Sequence, residues 1–412
     1  MPDSNTSTES IASLKLATSA KRAFLYGNTV IGVGVMIVPG MLNQLAQDLH
    51  VSIPVGGQLI SIGAVVMALG APIIAASTSP IDRRLLLTIS QLIYMVGALL
   101  CAIAPQFAAL LPLRALAVIG AAIFTPQAAA TIGLLVPAEK RSAAVTTIFM
   151  GWSIAAVIAM PLGSLIAAHL GWRYGFVLLA IMALISSIWI WRVVPNGLTV
   201  PKLSLASWQQ VATSKKLLLI LSVTLLSSTG QFTVLAYVAP YLLHQVNASP
   251  VQFSLLMVLN GLAGIAGALW VTRTVGRRGA EKTVNNASTV LMIGLAIWAL
   301  QTQLPSITLA SHPPSEIQIF LAWAMLATGS LFWGAGSFAT NATQQARLAG
   351  VAPSLASASI SLNTSAMYSG QSLGAVIGAL ILTSAGYAVL PWVATALLIC
   401  AWIVSKLAGR VS

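Results

Sequence analysis

The chain has 412 residues, of which 58% are hydrophobic and only 7% are charged. Soluble globular proteins carry about 25% charged residues, so this composition excludes a soluble enzyme or binding module. The 20 Lys and Arg residues outnumber the 7 Asp and Glu residues and give a formal net charge of +13. In short loops between apolar segments such an excess is a topology signal rather than a nucleic-acid footprint. We therefore interpret the chain as a polytopic membrane protein that binds no nucleic acid.

Residues outside the apolar segments predict little chemistry. Cys101 and Cys400 both lie in apolar segments far apart in the sequence, so neither a metal site nor a disulfide framework is predicted, and no cofactor is expected. Residues 1–20 are polar and lack the apolar core and cleavage site of a signal peptide. We interpret them as a disordered cytoplasmic tail.

Twelve apolar segments are long enough to cross a membrane, which takes about 20 helical residues. They form two groups of six, separated by the longest polar segment inside the chain. This pattern predicts an all-α membrane protein with two pseudo-symmetric halves, 21–195 and 216–412, joined by a cytoplasmic linker at 196–215. We number the segments as spans 1–12, covering 23–47, 54–78, 85–104, 107–136, 142–168, 174–194, 216–244, 251–272, 284–304, 317–346, 354–384 and 387–408.

Alternate loops carry almost all of the basic residues, as expected when cytoplasmic loops are enriched in Lys and Arg. With the N-terminus inside, only Arg114 and Arg173 fall on the other side. Adding or removing one span would destroy this asymmetry. The prediction is therefore twelve spans with both termini in the cytoplasm, and the loop 305–316, which has no Lys or Arg, is then external.

The two halves also repeat in sequence. Gly70–Arg84 aligns without gaps to Gly264–Arg278, and each segment resembles a helix end that runs into a loop closed by two arginines. Ser153–Ile158 is similar to Ser372–Ile377. Both matches fall at equivalent places in a six-plus-six plan, which supports two related halves.

Four segments carry a resemblance to a known family. They are GAPIIAASTSPIDRR after span 2, RALAVIGAAIFTPQAAA in span 4, MPLGSLIAAHLGWRYGF in span 5 and TGQFTVLAYVAPYL in span 7. Together they resemble the major facilitator superfamily, and within it the twelve-helix drug:proton antiporters that include bacterial drug, sugar and arabinose exporters. The resemblance implies a monomeric secondary transporter in the bacterial inner membrane. It would move a small organic solute outward by alternating access, with protons as a candidate coupling ion.

The segment after span 2 supplies candidate gating residues. Gly70 lies among small residues that let helices approach closely, and Arg83 and Arg84 lie at the level of the headgroups. These arginines are either a latch between the two halves or topology determinants alone. The sequence departs from the family here, because Ser79 stands where an acidic residue is usual and Asp82 follows a few residues later.

Pro161 and Gly163 in span 5 resemble the proline–glycine bend of antiporters in this family. A proline within a helix removes a backbone hydrogen bond and kinks the helix, and a kink here would shape the exterior gate. The alternative is that these small residues only pack span 5 against span 2 or span 8.

In the fold that the resemblance implies, spans 1, 4, 7 and 10 line a central cavity. Polar residues buried in these spans are therefore candidate substrate ligands, although hydrogen bonding between helices is the alternative for each of them. The strongest polar stripe follows one face of span 10, and a comparable stripe on span 11, which includes Tyr368, is open to interpretation as packing. The candidate ligands are Asn28, Arg114, Thr125, Gln231, Tyr237, Trp333, Ser337, Asn341 and Gln344.

Arg114 is the most unusual of these residues, because a charge near the centre of a span costs at least ~2.5 kcal/mol. Thr125 lies eleven positions further on and falls on the same helical face. The pair therefore predicts a polar face that contacts protein or water. The alternative is that Arg114, near the end of its span, extends its charge to the headgroups.

None of the seven acidic residues lies in the middle of a span. Proton-coupled members of the family carry a carboxylate in span 1, where this chain has Asn28 as the only strongly polar residue. Asp48, His169 and His244 near the outer span ends are candidate substitutes, or interfacial residues without a coupling role. If Asp48 does not reach Arg114, the arginine is a candidate anchor for an anionic substrate.

Three other functions compete with an efflux transporter. A facilitator or importer that needs no ion gradient would explain the missing carboxylates. A membrane enzyme would need a carboxylate pair, a metal cluster or a nucleophile with a base, and no such group is visible within the spans. A receptor would more readily carry a large extra domain, whereas the loops are short.

Overall fold

The computed structural model describes residues 4–78, 80–137, 141–199, 205–304, 315–352 and 355–411. The regular elements in these residues are all helices, and twelve of them are long and apolar enough to cross a membrane. The predicted all-α fold with twelve spans is confirmed. The helices of spans 1–6 are Ser4–Asp48, Ile53–Gly56 with Gln58–Ser77, Arg83–Ala102, Phe107–Leu135, Arg141–His169 and Trp172–Val193. Those of spans 7–12 are Lys215–Leu235 with Val238–Val246, Pro250–Arg278, Ala280–Gln301, Glu316–Val351, Ala356–Ser384 and Leu390–Arg410.

Two helical segments lie where the sequence predicts none. The helix of span 1 begins at Ser4, so residues 4–20 are helical and the predicted disordered tail is wrong for them. Extending an existing helix adds one hydrogen bond per residue and needs no new nucleus. A short helix, Leu205–Thr213, also lies within the predicted linker. The boundaries of the two halves stay a prediction, and residues 200–204 and 305–314 lie outside the described part of the chain.

Span 7 is broken, although its sequence predicts one helix over 216–244. The first part ends at Leu235 and the second begins at Val238, with Tyr237 between them at φ −121° and ψ 19°. Pro240 has no backbone N–H to donate to the carbonyl of Ala236, so the helical ladder is interrupted at this point. The break turns the outer end of span 7 and fixes the position of Tyr237.

The two arginine pairs that align in sequence, Arg83–Arg84 and Arg277–Arg278, lie at opposite ends of their helices. Asp82 caps span 3 by accepting a hydrogen bond from the backbone N–H of Leu85 at 3.1 Å, so Arg83 and Arg84 open that helix. Arg277 and Arg278 instead close the helix of span 8, and the turn follows at Gly279, whose φ is 78°. The predicted loop closed by two arginines is therefore wrong for the second half.

A ridge of glycines lets spans 7 and 11 pack backbone against backbone. Gly370, Gly374 and Gly378 recur every fourth residue on span 11. A Cβ atom would lie 2.4 Å from a carbonyl oxygen of span 7 at Gly370 and at Gly374, and 2.8 Å from one at Gly378. Real Cβ atoms do not approach this closely, so only glycine fits at this crossing.

The two groups of six spans meet where span 1 packs on span 7, span 2 on span 11 and span 5 on span 8. Ser254 Oγ lies 3.5 Å from the carbonyl oxygen of Pro161. A Cβ atom on Gly261 would lie 2.7 Å from Cα of Val157, and one on Gly57 would lie 2.2 Å from the hydroxyl of Tyr237. These contacts lie in the half of the bundle away from the chain termini, which we call the outer side. The bundle is therefore closed on its outer side.

Candidate functional site

Arg114 is buried inside the bundle and does not reach the headgroups. Its side chain is 3% exposed, and Nη2 donates a hydrogen bond to the carbonyl oxygen of Gly34 in span 1 at 2.6 Å. Nε and Nη1 are buried without a hydrogen-bond partner among the described residues. The ring of Phe176 lies 6.0 Å from the guanidinium carbon. The interpretation of Arg114 as an arginine that extends to the membrane surface is wrong.

Asp48 does not neutralise Arg114. Its carboxylate pairs with Arg173 and accepts a hydrogen bond from Trp172 Nε1 at 2.7 Å, which joins the outer ends of spans 1 and 6. This is the one salt bridge within the described residues. The alternative in which Asp48 reaches Arg114 is therefore wrong.

The two histidines suggested as coupling groups also lie at the outer side. His169 is exposed at the end of span 5. The ring of His244 lies 4.4 Å from that of Tyr387, centroid to centroid, at the end of span 7. These positions are those of interfacial residues, and a coupling role for either histidine stays a prediction.

A narrow cleft lies beside Arg114 at the junction of the two halves. Spans 1, 2 and 4 contribute its apolar walls, and span 11 contributes Tyr368 and Gln371. The phenol of Tyr94 in span 3 packs against Gly34, whose carbonyl oxygen Arg114 binds, since a Cβ atom on Gly34 would lie 1.7 Å from the Tyr94 hydroxyl. Tyr94 and Gln371 were missed in the sequence, because one polar residue in an apolar span does not show which neighbour it faces.

Asn28 and Thr125 are hydrogen-bonded to each other. Thr125 Oγ1 donates to Asn28 Oδ1 at 2.8 Å, and Asn28 Nδ2 donates to the carbonyl oxygen of Ile148 at 3.2 Å. Both side chains are buried, and the bonds join spans 1, 4 and 5. This arrangement fits the packing alternative, and a substrate contact for either residue stays a prediction.

The polar residues in the second half form two further groups. Gln344 Nε2 donates to the carbonyl oxygen of Ile220 at 3.0 Å and to Thr224 Oγ1 at 3.3 Å, and so holds span 10 on span 7. Ser337 Oγ donates to Gln231 Oε1 at 2.5 Å. Gln231 and Ser337 are only half-buried, so this pair keeps surface that a solute can touch.

Asn341, Trp333 and Tyr237 lie in three different environments. Asn341 is half-buried, with Nδ2 3.3 Å from Met367 Sδ. Trp333 is buried and packs edge-on against Trp298 of span 9, with ring centroids 5.3 Å apart. Tyr237 is buried and donates its hydroxyl to the carbonyl oxygen of Ala375 at 2.8 Å. The stripe on span 10 therefore divides between a face toward spans 7 and 11 and a face toward span 9.

This division makes a testable prediction for span 10. Replacing Trp333 with alanine should lower stability, because removing a buried Trp side chain costs about 3–5 kcal/mol. Replacing Asn341 with alanine should leave the melting temperature near that of the wild type and weaken solute binding. Thermal unfolding and binding of the purified variants check both expectations. Equal loss of stability in the two variants would show that the stripe is structural throughout.

The candidate inner gate is a cluster at the start of span 3. Arg83 Nη1 donates to Gln127 Oε1 in span 4, and Arg84 Nη1 donates to Asn196 Oδ1 at 2.8 Å. The guanidinium of Arg84 also lies 4.0 Å above the ring of Trp191.

The backbone after span 6 joins the same cluster. Asp82 Oδ2 accepts a hydrogen bond from the backbone N–H of Gly197 at 2.5 Å, and the backbone N–H of Arg83 donates to the carbonyl oxygen of Leu198 at 2.9 Å. These bonds tie the loop after span 2 to the start of the linker that follows span 6, and none of them reaches spans 7–12. A latch between the halves stays a prediction. Ser79 lies outside the described residues.

The other candidate gating residues lie in spans 2 and 5. Gly70 is half-buried within the helix Gln58–Ser77. A Cβ atom on Gly163 would lie 2.6 Å from the carbonyl oxygen of Ile37, so Gly163 packs on span 1. Pro161 meets Ser254 of span 8, as described above. Of Gly70, Pro161 and Gly163, only Pro161 therefore lies at an observed contact between the two halves.

No group of three or more His, Cys, Asp or Glu side chains that could hold a metal ion occurs among the described residues.

Comparison with known proteins gives consistent matches. A model of the Major Facilitator Superfamily matches residues 24–310. The MFS-type transporter YbcL of Bacillus subtilis (strain 168) is 26% identical over 369 residues, covering 88% of this chain and 89% of YbcL. The inner membrane transport protein YdhP of Escherichia coli (strain K12) is 28% identical over 353 residues, covering 85% and 86%.

Two solved structures share the fold at 15% sequence identity. A bacterial homolog of the human lysosomal transporter Spinster, in an inward-facing and occupied conformation, superposes with a TM-score of 0.73 over 95% of this chain and 96% of that chain. A D-xylose–proton symporter superposes with a TM-score of 0.73 over 94% and 97%.

Proposed function

Because the chain belongs to the Major Facilitator Superfamily, we propose that it exports a small organic solute from the bacterial cytoplasm by alternating access. Members of this superfamily are transporters and not enzymes, so the membrane-enzyme alternative is excluded. The chain is a multi-pass membrane protein with twelve spans. We place it in the inner membrane as a monomer with both termini cytoplasmic, in keeping with the matched inner membrane transport protein and the distribution of basic residues.

The observation that carries this proposal is the packing between the two halves. The outer-side contacts between them include close helix approaches at Gly57 and Gly261 and a long hydrogen bond at Ser254. Such contacts can part and re-form, since none of these three contacts is an ion pair. A bundle closed on its outer side matches the state in which an exporter would load its solute from the side of the termini.

We assign the solute site to Arg114 together with the half-buried Gln231, Ser337 and Asn341. Asn28, Thr125, Tyr237, Trp333 and Gln344 hold the surrounding helices in place through the contacts described above. Pro161 and Gly163 serve the outer gate. Gly70, Asp82, Arg83 and Arg84 serve the inner gate.

Transport into proteoliposomes with and without a pH gradient tests this function. An exporter coupled to protons should accumulate solute only when the gradient is present. A second candidate is a facilitator or importer that needs no gradient, favoured by the absence of an acidic residue in the middle of any span of the sequence. Equilibration of solute that responds neither to the pH gradient nor to a membrane potential would identify this second function.

Single cysteines test the proposed orientation. In a variant that lacks Cys101 and Cys400, a cysteine replacing the exposed Gln303 should react with an impermeant maleimide added to intact cells. A cysteine replacing the exposed Thr213 should react only after the membrane is made permeable, because the two positions lie at opposite ends of the bundle. Labelling of both positions in intact cells would refute the twelve-span topology with cytoplasmic termini.

A further inference from the structure

We propose that the cleft beside Arg114 binds the carboxylate group of an organic anion, using hydrogen-bond donors from both halves of the protein. This assignment rests on the transport function proposed above and names the chemical class of its solute.

The cleft is surrounded by donors. Two nitrogens of the Arg114 guanidinium have no partner among the described residues, and a guanidinium offers only donors and no acceptor. Tyr368 brings a phenol to the wall of the cleft. The phenol of Tyr94 lies nearby against Gly34, the residue to which Arg114 is bound. Gln371 adds an amide at the wall of the cleft. A ligand that satisfies this group must supply acceptors.

The charge balance of the cleft favours an anion. Asp48 is engaged with Arg173 and Trp172 at the outer ends of spans 1 and 6. No acidic residue is found at the wall of the cleft within the described part of the chain. A buried charge without a counterion is costly, so an entering carboxylate would pair with Arg114 and recover that cost. A cation would meet repulsion that low dielectric strengthens.

The walls of the cleft indicate an apolar body for the same ligand. Val35, Ile60, Met67 and Val118 line it on the side of the first half. Apolar walls exclude water and stabilise an apolar group through burial of its surface. The cleft has a volume of about 10 Å³, enough for about one water-sized group, so its walls have to part before the aromatic or aliphatic body of a small monocarboxylate can enter.

The donors come from elements that move apart in alternating access. Arg114 lies in span 4 and is held by Gly34 of span 1, whereas Tyr368 and Gln371 lie in span 11 of the other half. A carboxylate bound between them would join the halves on the outer side. A hydrogen bond from Gln371 to the bound carboxylate would then stabilise the state that is closed on the outer side, in addition to strengthening ligand binding.

Benzoate, 3-phenylpropionate and their uncharged amides provide the test. The dissociation constant of each compound is measured with the purified full-length protein by isothermal titration calorimetry. The wild type should bind a carboxylate and not the matching amide. Arg114→Gln should weaken that binding at least about tenfold, as expected for loss of a charge-assisted hydrogen bond. Arg114→Lys should retain part of it, because charge matters before bidentate geometry.

Arg173→Gln is the matched control, since it removes an arginine that lies away from the cleft and should leave carboxylate affinity unchanged. Gln371→Leu keeps Arg114 intact and should still weaken carboxylate binding severalfold, which covers the case in which Arg114→Gln does not fold. Failure of both carboxylates to bind the wild type, equal binding of the amides, or unchanged affinity in Gln371→Leu would each overturn the proposal. Transport in proteoliposomes distinguishes failure of this proposal from failure of the transport function. Transport of uncharged or cationic solutes without carboxylate binding refutes only the proposed solute class. Transport of no solute refutes the proposed function itself.

Discussion

Replacing Gly374 with leucine should prevent spans 7 and 11 from packing and should remove most of the folded protein from the membrane. A Cβ atom at this position would lie 2.4 Å from the carbonyl oxygen of Thr229 and 2.9 Å from Cβ of Phe232, and neither can yield unless the helices separate. Overpacking of a close-packed interior costs about 1–3 kcal/mol, and the cost here should be at the upper end or above, because backbone meets backbone. Gly374→Ala should be intermediate.

The measurement is the yield of monodisperse protein after extraction and its melting temperature. Gly276→Leu is the control, because Gly276 is an exposed helical glycine and no other helix comes within 4 Å of its Cβ position. That substitution should be neutral or slightly stabilising, since leucine is a better helix former than glycine. A Gly374→Leu protein that folds and melts like the wild type would mean that the glycine ridge does not set the distance between spans 7 and 11.

Replacing Gly261 with leucine should have a different effect, because this glycine packs across the two halves. Its Cβ would lie 2.7 Å from Cα of Val157 and 3.0 Å from the carbonyl oxygen of Ala156. The halves can avoid the clash by parting on the outer side, so the protein should stay folded and shift toward an outward-open state. Transport should fall strongly, since the shift disfavours a state that every cycle must visit.

Spin labels on the exposed Leu170 and Val251 report this shift, because they lie at the outer ends of spans 5 and 8. The distance between them should lengthen in Gly261→Leu and not in Gly276→Leu. Loss of folding in place of a change in distance, or an unchanged distance, would show that this crossing is not part of a gate that opens.

The sequence predicts the fold well, because the features that decide it are local. Span length and the distribution of Lys and Arg along the chain specify twelve helices and their alternation without any knowledge of tertiary contacts. The break in span 7 could have been predicted from Pro240, which lies within the segment. A proline in a membrane helix often causes only a kink, however, so the sequence does not distinguish the two outcomes.

The site is only partly readable from the sequence. Arg114 is conspicuous because a charge interrupts an apolar segment, and its burial could be argued in advance. The partner of Asp48 could not be predicted, because Arg173 lies 125 positions away in the sequence. Nothing in the local sequence shows that Arg173, and not Arg114, is the counterion of Asp48. Tyr94 and Gln371 acquire meaning only from the packing of spans 3 and 11 around Arg114.

The fixed position of Arg114 also has an electrical consequence. Its guanidinium is bound to Gly34 of the same half, so the positive charge belongs to the scaffold and is not released with the solute. A monocarboxylate that leaves the cell would then carry one negative charge through the membrane potential. At 100 mV, inside negative, this movement is favourable by about 2.3 kcal/mol. The membrane voltage alone would concentrate such a solute outside the cell, and a titrating carboxylate in span 1 would not be required.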